Sequence, residues 1–181
     1  MDSLLKELCL TDSTSGHEKK VRDLIISKIE GHCEYKVDAL GNIIAFKKGR
    51  KTPKNKIMFD AHTDEVGVIV TGADSDGFLK FSNVGGIDTK VLLARVICFE
   101  NGVKGVVGVK PIHLSDKDEA GKIPSKDGLY IDIGASSKEE ALSLVRPGTT
   151  GVFSVEYAEF GEHKIMSKAL DDRAGCYVLI D

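Results

Sequence analysis

The chain has 181 residues and a formal net charge of −3. This near balance of charge argues against a nucleic-acid-binding protein, because such proteins concentrate basic residues on one face. No run approaches the ~18 consecutive apolar residues of a membrane span, so no membrane partner is expected either.

The N-terminus and the cysteines indicate the compartment. Residues 1–7 are charged and amphipathic, and they lack the basic start and apolar core of a signal peptide. The four cysteines are scattered and form no Cys-x-x-Cys pair, which favours reduced thiols. The sequence therefore predicts a cytoplasmic protein of one domain or two small ones.

Two helices are predicted at the start of the chain. Leucines recur at helical spacing in residues 2–10. A second amphipathic helix is predicted to begin at a capping box formed by Ser15 and Glu18, and to end near Gly31.

A hairpin and a short strand are predicted next. Residues 33–40 and 43–46 predict two strands joined by the turn pair Gly41-Asn42. The apolar run at 57–59 predicts a short, buried strand that leads into His62. Helices, hairpin and strand together indicate the start of an α/β layer.

The chain changes character after Gly67. Between residues 68 and 163 it is rich in Val, Ile, Gly and Phe, and turn residues recur at short intervals. A single helix is predicted there, over residues 138–145, with Ser136 or Ser137 as its cap. Six strands are predicted, at residues 68–71, 78–81, 95–99, 103–109, 129–133 and 152–157. Closely spaced strands with little helix indicate a small β-barrel or β-sandwich.

Near residue 164 the α/β pattern returns, and residues 174–181 predict the beginning of another helix. The simplest architecture is therefore an α/β domain of residues 1–67 and 164–181, interrupted by an inserted β-rich domain of residues 68–163. Polar residues with ligand chemistry follow the apolar runs at both junctions, where open α/β sheets place their ligands.

His62 and Asp171 are the candidate metal ligands. A neutral imidazole and a carboxylate are ligand types that zinc and cobalt accept. Asp64 lies two residues after His62, so in an extended chain both side chains point to the same side. A carboxylate there can accept the second ring N–H of His62 and fix its orientation. A local hydrogen bond or a solvated turn is the other interpretation of so short a pattern.

The chain resembles the M42 family of metalloaminopeptidases, which includes glutamyl and deblocking aminopeptidases and members labelled endoglucanase or cellulase. The resemblance rests on several motifs in the family's order. They are Thr14-Ser15-Gly16-x-Glu18, Asp38-x-x-Gly41-Asn42, residues 61–67 (AHTDEVG), Gly85-Gly86, residues 105–113 (GVVGVKPIH), residues 129–135 (LYIDIGA) and residues 168–175 (KALDDRAG).

The resemblance implies roles for individual residues. His62 would be a terminal ligand of one metal, and Asp171 would bridge two divalent ions, zinc or cobalt. Asp64 would belong to the catalytic machinery as the partner that holds His62, whereas Asp172 and Arg173 would support the turn. The metal pair would polarise a peptide carbonyl and lower the pKa of a bound water. The fold would be part of a zinc-peptidase-like α/β catalytic domain.

The resemblance also implies partners. The inserted β region would be a dimerisation domain, and family members build homo-oligomers up to dodecameric shells. The substrate would be a peptide with a free N-terminus.

Part of the family pattern has no match in this sequence. In the family, a Glu-Glu pair that supplies the general base and a further ligand comes later, followed by another acidic ligand and a histidine. The chain is therefore expected to be the N-terminal portion of a dinuclear aminopeptidase, and to be inactive alone. The alternative is a non-enzymatic assembly or interaction module built on the β region. Glycoside hydrolysis is disfavoured, because glycosidases need two carboxylates flanking the bond.

Two neighbours of the candidate ligands are expected to be structural. Glu65 faces away from Asp64 by strand alternation. Cys176 is expected to be a small helix-packing residue. The sequence leaves open the metal's identity and the preferred N-terminal residue of the substrate.

Overall fold

The computed structural model describes residues 3–51, 54–109 and 128–181. Its contacts divide the chain into two compact units, one of Met1–Glu65 with Val155–Asp181 and one of Val66–Ser154. The second junction falls earlier than the sequence analysis placed it. The reason is that residues 158–160 pair with residues 164–166, which keeps both segments in the first unit.

The first unit begins with two amphipathic helices, α1 (Ser3–Leu10) and α2 (Lys19–Ile29). Both helices were predicted, but the capping box at Ser15 is wrong. The N-cap position of α2 is Glu18, whose carboxylate accepts the backbone N–H of Gly16, and no side chain caps the helix. The Ser15 hydroxyl is instead engaged by Asp64, which lies far away in sequence.

The predicted hairpin follows as β1 (Glu34–Val37) and β2 (Ile43–Phe46), paired antiparallel. The Asp38 carboxylate organises its turn by accepting the backbone N–H groups of Leu40 and Asn42 at 3.0 and 2.9 Å. It also accepts the Asn42 side-chain amide at 2.9 Å. Gly41 has a φ of +91°, which glycine adopts without strain.

The predicted strand at residues 57–59 is not formed. Ile57, Met58 and Phe59 belong to no helix or strand, and they are 78%, 83% and 73% exposed. Their apolar character was read correctly, but a strand needs at least one hydrogen-bonded neighbour, and no described residues pair with this segment as a strand.

The second unit is a closed barrel of six antiparallel strands in the order β3-β4-β7-β6-β5-β8. All six correspond to strands predicted from the sequence. The sequence left a barrel and a sandwich open, and the closed order of the strands shows that the unit is a barrel. The strands are β3 (Gly67–Ala73), β4 (Leu79–Val84), β5 (Val96–Phe99), β6 (Lys104–Val109), β7 (Leu129–Asp132) and β8 (Thr150–Phe153).

Alternate residues of these strands fill the barrel interior. Val68, Leu79, Ile97 and Ile131 are fully buried there, as period-2 alternation requires. Gly151 lies at a close approach of strands, since a Cβ at this position would come within 2.6 Å of the Ile97 side chain. The unit therefore has a complete apolar core of its own.

Helix α3 (Lys138–Leu144) belongs to the same unit and matches its prediction. Ser137 is the N-cap, because its hydroxyl accepts the backbone N–H of Glu140 at 3.2 Å. The Glu140 carboxylate in turn accepts the backbone N–H of Ser136 at 2.8 Å. A short 3-10 turn over Thr89–Val91 was not predicted.

The chain then returns to the first unit. A small antiparallel hairpin, β9 (Ala158–Phe160) and β10 (Lys164–Met166), precedes α4 (Leu170–Ile180). Helix α4 packs against α1 and α2. Their shared core contains the fully buried Leu8 and Val21 together with Cys176. The structure thus has α/β content in one unit and a closed barrel in the other.

Candidate metal centre

Three loops of the first unit meet at the predicted site. Residues 11–15 lie in the connection between α1 and α2, residues 62–65 follow the exposed apolar segment, and residues 168–173 include the turn at the start of α4. Ser13 and Glu65 join the first two loops, because the Glu65 N–H donates to the Ser13 carbonyl at 2.8 Å. Thr14 and Glu65 form an isolated parallel bridge beside this hydrogen bond.

His62 lies between the two predicted carboxylates. Its Nδ1 is 3.0 Å from Asp64 Oδ1, and its Nε2 is 3.0 Å from Asp171 Oδ1. The structure therefore brings together all three residues that the sequence singled out, although 109 positions separate His62 from Asp171. Their individual roles in metal binding and catalysis stay predictions.

The site is open on the Asp171 side. The side chains of His62, Asp64 and Asp171 are 53%, 36% and 95% exposed. Asp64 is further held by Ser15, whose hydroxyl donates to its second oxygen, Oδ2. Asp64 is thus fixed by contacts at both oxygens, whereas Asp171 has a carboxylate that an incoming ion can reach.

The charges of the site are mutually stabilising. Desolvation lowers the pKa of His62, but the hydrogen bond with Asp171 and the charge of Asp64 outweigh it, so the pKa is raised. The hydrogen bond from Ser15 is the main reason why the pKa of Asp64 is lowered. Asp64 is therefore ionised at neutral pH, and its carboxylate is suited to accept a hydrogen bond from the Nδ1–H group of His62.

His62 Nε2 and Asp171 Oδ1 can serve one metal ion. Two ligand atoms at about 2.1 Å from the same tetrahedral ion lie roughly 3.4 Å apart, close to the 3.0 Å separation here. Asp64 contacts the other ring nitrogen and would orient the imidazole without binding the ion. The pair fits the metal as two of its ligands, and the remaining ligands would come from water or from elsewhere.

The described ranges hold no complete metal site. Within residues 3–51, 54–109 and 128–181, no three His, Cys, Asp or Glu side chains are grouped so that they could hold a metal ion.

Arg173 fixes the backbone on both sides of the site. It is fully buried, and it donates Nε to the Thr63 carbonyl at 3.0 Å, between His62 and Asp64. Its guanidinium also donates to the carbonyls of Leu8 and Thr11 and to the Ser13 hydroxyl. One planar cation thus connects α1, the 62–65 loop and the start of α4, in agreement with the structural role predicted for it.

A buried ion pair lies behind the site. Lys168 Nζ contacts Glu65 Oε1 at 2.6 Å and Asp12 Oδ1 at 2.8 Å. The side chains of Lys168 and Glu65 are only 8% and 4% exposed. Burial raises the pKa of Glu65, although the charge of Lys168 opposes that shift. Glu65 therefore faces away from Asp64 into a buried ion pair, although it lies in a loop rather than in the strand from which its orientation was predicted.

The turn that presents Asp171 has special backbone geometry. Ala169 has a φ of +55°, the Asp171–Asp172 peptide bond is cis, and residues 171 and 172 have non-helical dihedral angles. The Asp172 carboxylate accepts the backbone N–H of Gly175 at 3.0 Å. The helical part of α4 therefore starts after Asp172, and Asp172 supports the turn.

Cys176 is close to the site without facing it. Its buried thiol donates to the His62 carbonyl at 3.4 Å. Burial raises the pKa of this thiol, which keeps it protonated. This is the packing role that the sequence indicated.

The sequence analysis missed the contributions of Ser13, Ser15 and Lys168. Each of them acts through a partner that is at least 49 positions away. No periodic pattern encodes such contacts. The only signal available in the sequence was that Ser15 and Asp64 each lie in a motif that resembles the family. Ser15 was interpreted as a helix cap.

In the described parts of the chain, none of the helices is long and apolar enough to cross a membrane. The imidazole of His62 and the carboxylate of Asp171, 3.0 Å apart, are ligand types that zinc accepts.

Comparison with known proteins defines the family. The sequence pattern of the family described as M42 glutamyl aminopeptidase matches residues 41–181. A putative aminopeptidase from Acetivibrio thermocellus is 42% identical over 99% of this chain and 52% of its own length. The chain belongs to the M42 family, which confirms the resemblance drawn from its motifs.

Solved structures agree. An aminopeptidase from the archaeon Desulfurococcus kamchatkensis superposes with a TM-score of 0.89 at 37% identity, covering 98% of this chain and 49% of that one. The TET1 peptidase of Pyrococcus horikoshii, described as assembling into a tetrahedron or a large octahedral shell, gives a TM-score of 0.84 at 39% identity. That match covers 97% of this chain and 53% of the other. The chain thus spans about half the length of the relatives it matches.

Proposed function

We propose that the chain is the amino-terminal portion of a dinuclear, metal-dependent aminopeptidase that removes N-terminal residues from peptides. The observation that carries this proposal is the 3.0 Å contact between His62 Nε2 and Asp171 Oδ1, with Asp64 on the other ring nitrogen. His62 and Asp171 would hold the first ion. The carboxylate of Asp171, 95% exposed, would be shared with a second ion.

The two ions, zinc or cobalt, would supply Lewis acidity towards a peptide carbonyl and towards a bound water. The residues of this chain have the supporting tasks. Asp64 keeps the Nδ1 proton on His62, so that Nε2 presents its lone pair, and Arg173 holds the Thr63 carbonyl between them. No general base is assigned among these residues, so the chain is proposed to be inactive alone.

The surface of the first unit supports this proposal of incompleteness. Ile57, Met58 and Phe59 are consecutive apolar residues that all stand exposed. A run of consecutive apolar residues is typical of a strand in the middle of a sheet covered on both sides, although these residues are not paired as a strand here. Val178 of α4 is also 70% exposed. We propose that the half of the relatives' length that this chain does not match covers these residues and brings the remaining ligands to Asp171.

A chimaera tests the function. Residues 1–181 would be joined to the part of the A. thermocellus relative that this chain does not match, and assayed with cobalt or zinc on an aminoacyl chromogenic substrate. We expect turnover by the chimaera and none by the chain alone. His62→Ala and Asp171→Ala in the chimaera should lower kcat/KM by at least ~100-fold, because each removes a ligand.

Matched controls separate chemistry from folding. His17→Ala, at an exposed histidine outside the site, should leave the chimaera's kcat/KM within about 2-fold. Metal content and circular dichroism would be measured for every variant. A folded chimaera without metal-dependent turnover, or full activity of His62→Ala, would overturn the proposal.

An assembly module is the second candidate function. The closed barrel favours it, since the described residues of that unit form an apolar core among themselves. A dimeric or larger mass in solution for residues 1–181, unchanged by His62→Ala, would support assembly through the barrel. A monomer would count against it.

A further inference from the structure

We infer that Ser15 is a positioning residue of the candidate metal centre, acting on His62 through Asp64. This inference rests on the proposed function for its purpose, although the contacts behind it are independent of that function. Asp64 has two oxygens with different partners. Oδ1 lies 3.0 Å from His62 Nδ1, and Oδ2 accepts the hydroxyl hydrogen of Ser15.

A carboxylate held at one oxygen only can rotate about its χ2 angle, since this terminal torsion is broad. The Ser15 hydroxyl removes that freedom by fixing Oδ2. The direction of Oδ1 is then set, and with it the plane of the imidazole. The chain of contacts runs from Ser15 through Asp64 and His62 to Asp171.

The backbone places Ser15 for this task. Ser13 donates its hydroxyl to the Thr63 carbonyl at 2.7 Å, and Thr14 is bridged to Glu65. The loop that bears Ser15 therefore runs beside the loop that bears Asp64. Gly16, with a φ of +86°, turns the chain away directly after Ser15.

Zinc binding to the 181-residue chain provides the first test. The dissociation constant would be measured by competition with a chromophoric chelator for the wild type, Ser15→Ala, Asp64→Ala and the double variant. Loss of the direct partner of a ligating histidine lowers metal affinity by about 10–100-fold. We expect Asp64→Ala to fall in that range and Ser15→Ala to lose about 3–10-fold, because Asp64 would remain but be less well directed.

The double variant separates positioning from general structure. If Ser15 acts through Asp64, adding Ser15→Ala to Asp64→Ala should change zinc affinity by less than about 2-fold. Ser15→Thr keeps a hydroxyl and should restore wild-type affinity. Ser27→Ala is the matched control, since Ser27 is also exposed and donates its hydroxyl to the Leu24 carbonyl within α2. Additive losses, or an unchanged affinity in Ser15→Ala, would overturn the inference.

A second measurement applies to the metal-free chain. NMR relaxation of the His62 ring carbons reports the order of the imidazole on the ps–ns timescale. We expect greater ring mobility in Ser15→Ala than in the wild type and in Ser27→Ala, with the backbone order of residues 62–65 unchanged. Equal ring order in all three proteins would contradict the inference. Because the chain supplies only two ligands of the proposed ion, absence of zinc binding to the wild type would leave the proposed function standing, and ring order would then decide the role of Ser15.

Discussion

At the scale of single residues, the interior behind the metal centre is held by charges. Lys168 and Glu65 are almost completely buried and 2.6 Å apart, and Asp12 is the second partner of the lysine. Removing one member of a buried pair leaves the other unpaired, which costs more than the pair itself contributes. Lys168 and Glu65 are not equivalent. Of the two, only Lys168 has a second partner of opposite charge at hydrogen-bond distance, which is Asp12.

This asymmetry gives a prediction. Lys168→Met should lower the free energy of unfolding by about 3–5 kcal/mol, because it leaves Glu65 and Asp12 without their cation. Glu65→Gln should cost less, since Lys168 keeps Asp12. Urea denaturation with circular dichroism would measure both variants.

Lys19→Met is the control for that comparison. Lys19 pairs with Asp23 on the surface of α2, with side chains 75% and 51% exposed, so its loss should cost less than about 1 kcal/mol. Equal effects of Lys168→Met and Lys19→Met would show that the buried pair contributes no more than a surface pair.

At the scale of elements, the β1–β2 turn depends on the ionised form of Asp38. The hydrogen bond from the Asn42 side chain is the main reason why the pKa of Asp38 is lowered. A carboxylate whose pKa is lower in the folded state stabilises that state above its unfolded pKa. The stabilisation is lost as the pH falls through the folded pKa.

Asn42→Ala should therefore raise the pKa of Asp38 towards the ordinary range of aspartate, because the main cause of its lowering is removed. The backbone amides of the β1–β2 hairpin should be better protected from hydrogen exchange in the wild type than in the variant at neutral pH. The difference should vanish in acid, below both the folded and the unfolded pKa of Asp38. The Asp38 carboxyl 13C shift would follow the titration by NMR. Asn55→Ala, in a loop of the same unit, is the control and should leave the pKa of Asp38 unchanged.

Elements differ in how far the sequence could predict them. The barrel strands were found because the alternation that places Val68, Leu79 and Ile131 inside is a local pattern. The strand at 57–59 was wrong because apolar character alone does not reveal whether neighbouring strands are present. The β9–β10 hairpin was missed, since its strands are only three residues long and carry weak alternation.

The candidate site shows the same division. His62, Asp64 and Asp171 were identified because their side-chain chemistry and spacing stand in short motifs. The contacts of Ser15, Ser13 and Arg173 arise from the packing of loops that are remote in sequence. A single sequence does not encode which loops meet, so these contacts could be located only in three dimensions, even though a supporting role was expected for Arg173.

At the scale of the whole molecule, the two units differ in how well their apolar residues are covered. The barrel has a closed core, whereas the first unit leaves Met58 83% and Phe59 73% exposed. This difference leads to a prediction about Met58→Thr in two contexts. In the chain alone it should change the free energy of unfolding by less than about 0.5 kcal/mol, as at other exposed positions.

In the chimaera described above, Met58→Thr should cost about 2–4 kcal/mol if Met58 is buried there, because burial of a large apolar side chain is lost. Val91→Thr in the barrel unit, where Val91 is 50% exposed, is the matched control and should be near neutral in both proteins. Equal effects of Met58→Thr in the two contexts would contradict the proposed covering of residues 57–59.

The discontinuity of the first unit sets an order of events during synthesis on the ribosome. Residues 66–154 of the barrel are contiguous, so this unit can fold as soon as they have left the exit tunnel. The contacts of Arg173 with Leu8 and Thr63, and that of Asp171 with His62, must wait until α4 is translated. The N-terminal helices therefore wait through the translation of more than a hundred codons for α4, and the contact between His62 and Asp171 forms only after the barrel strands have been synthesised.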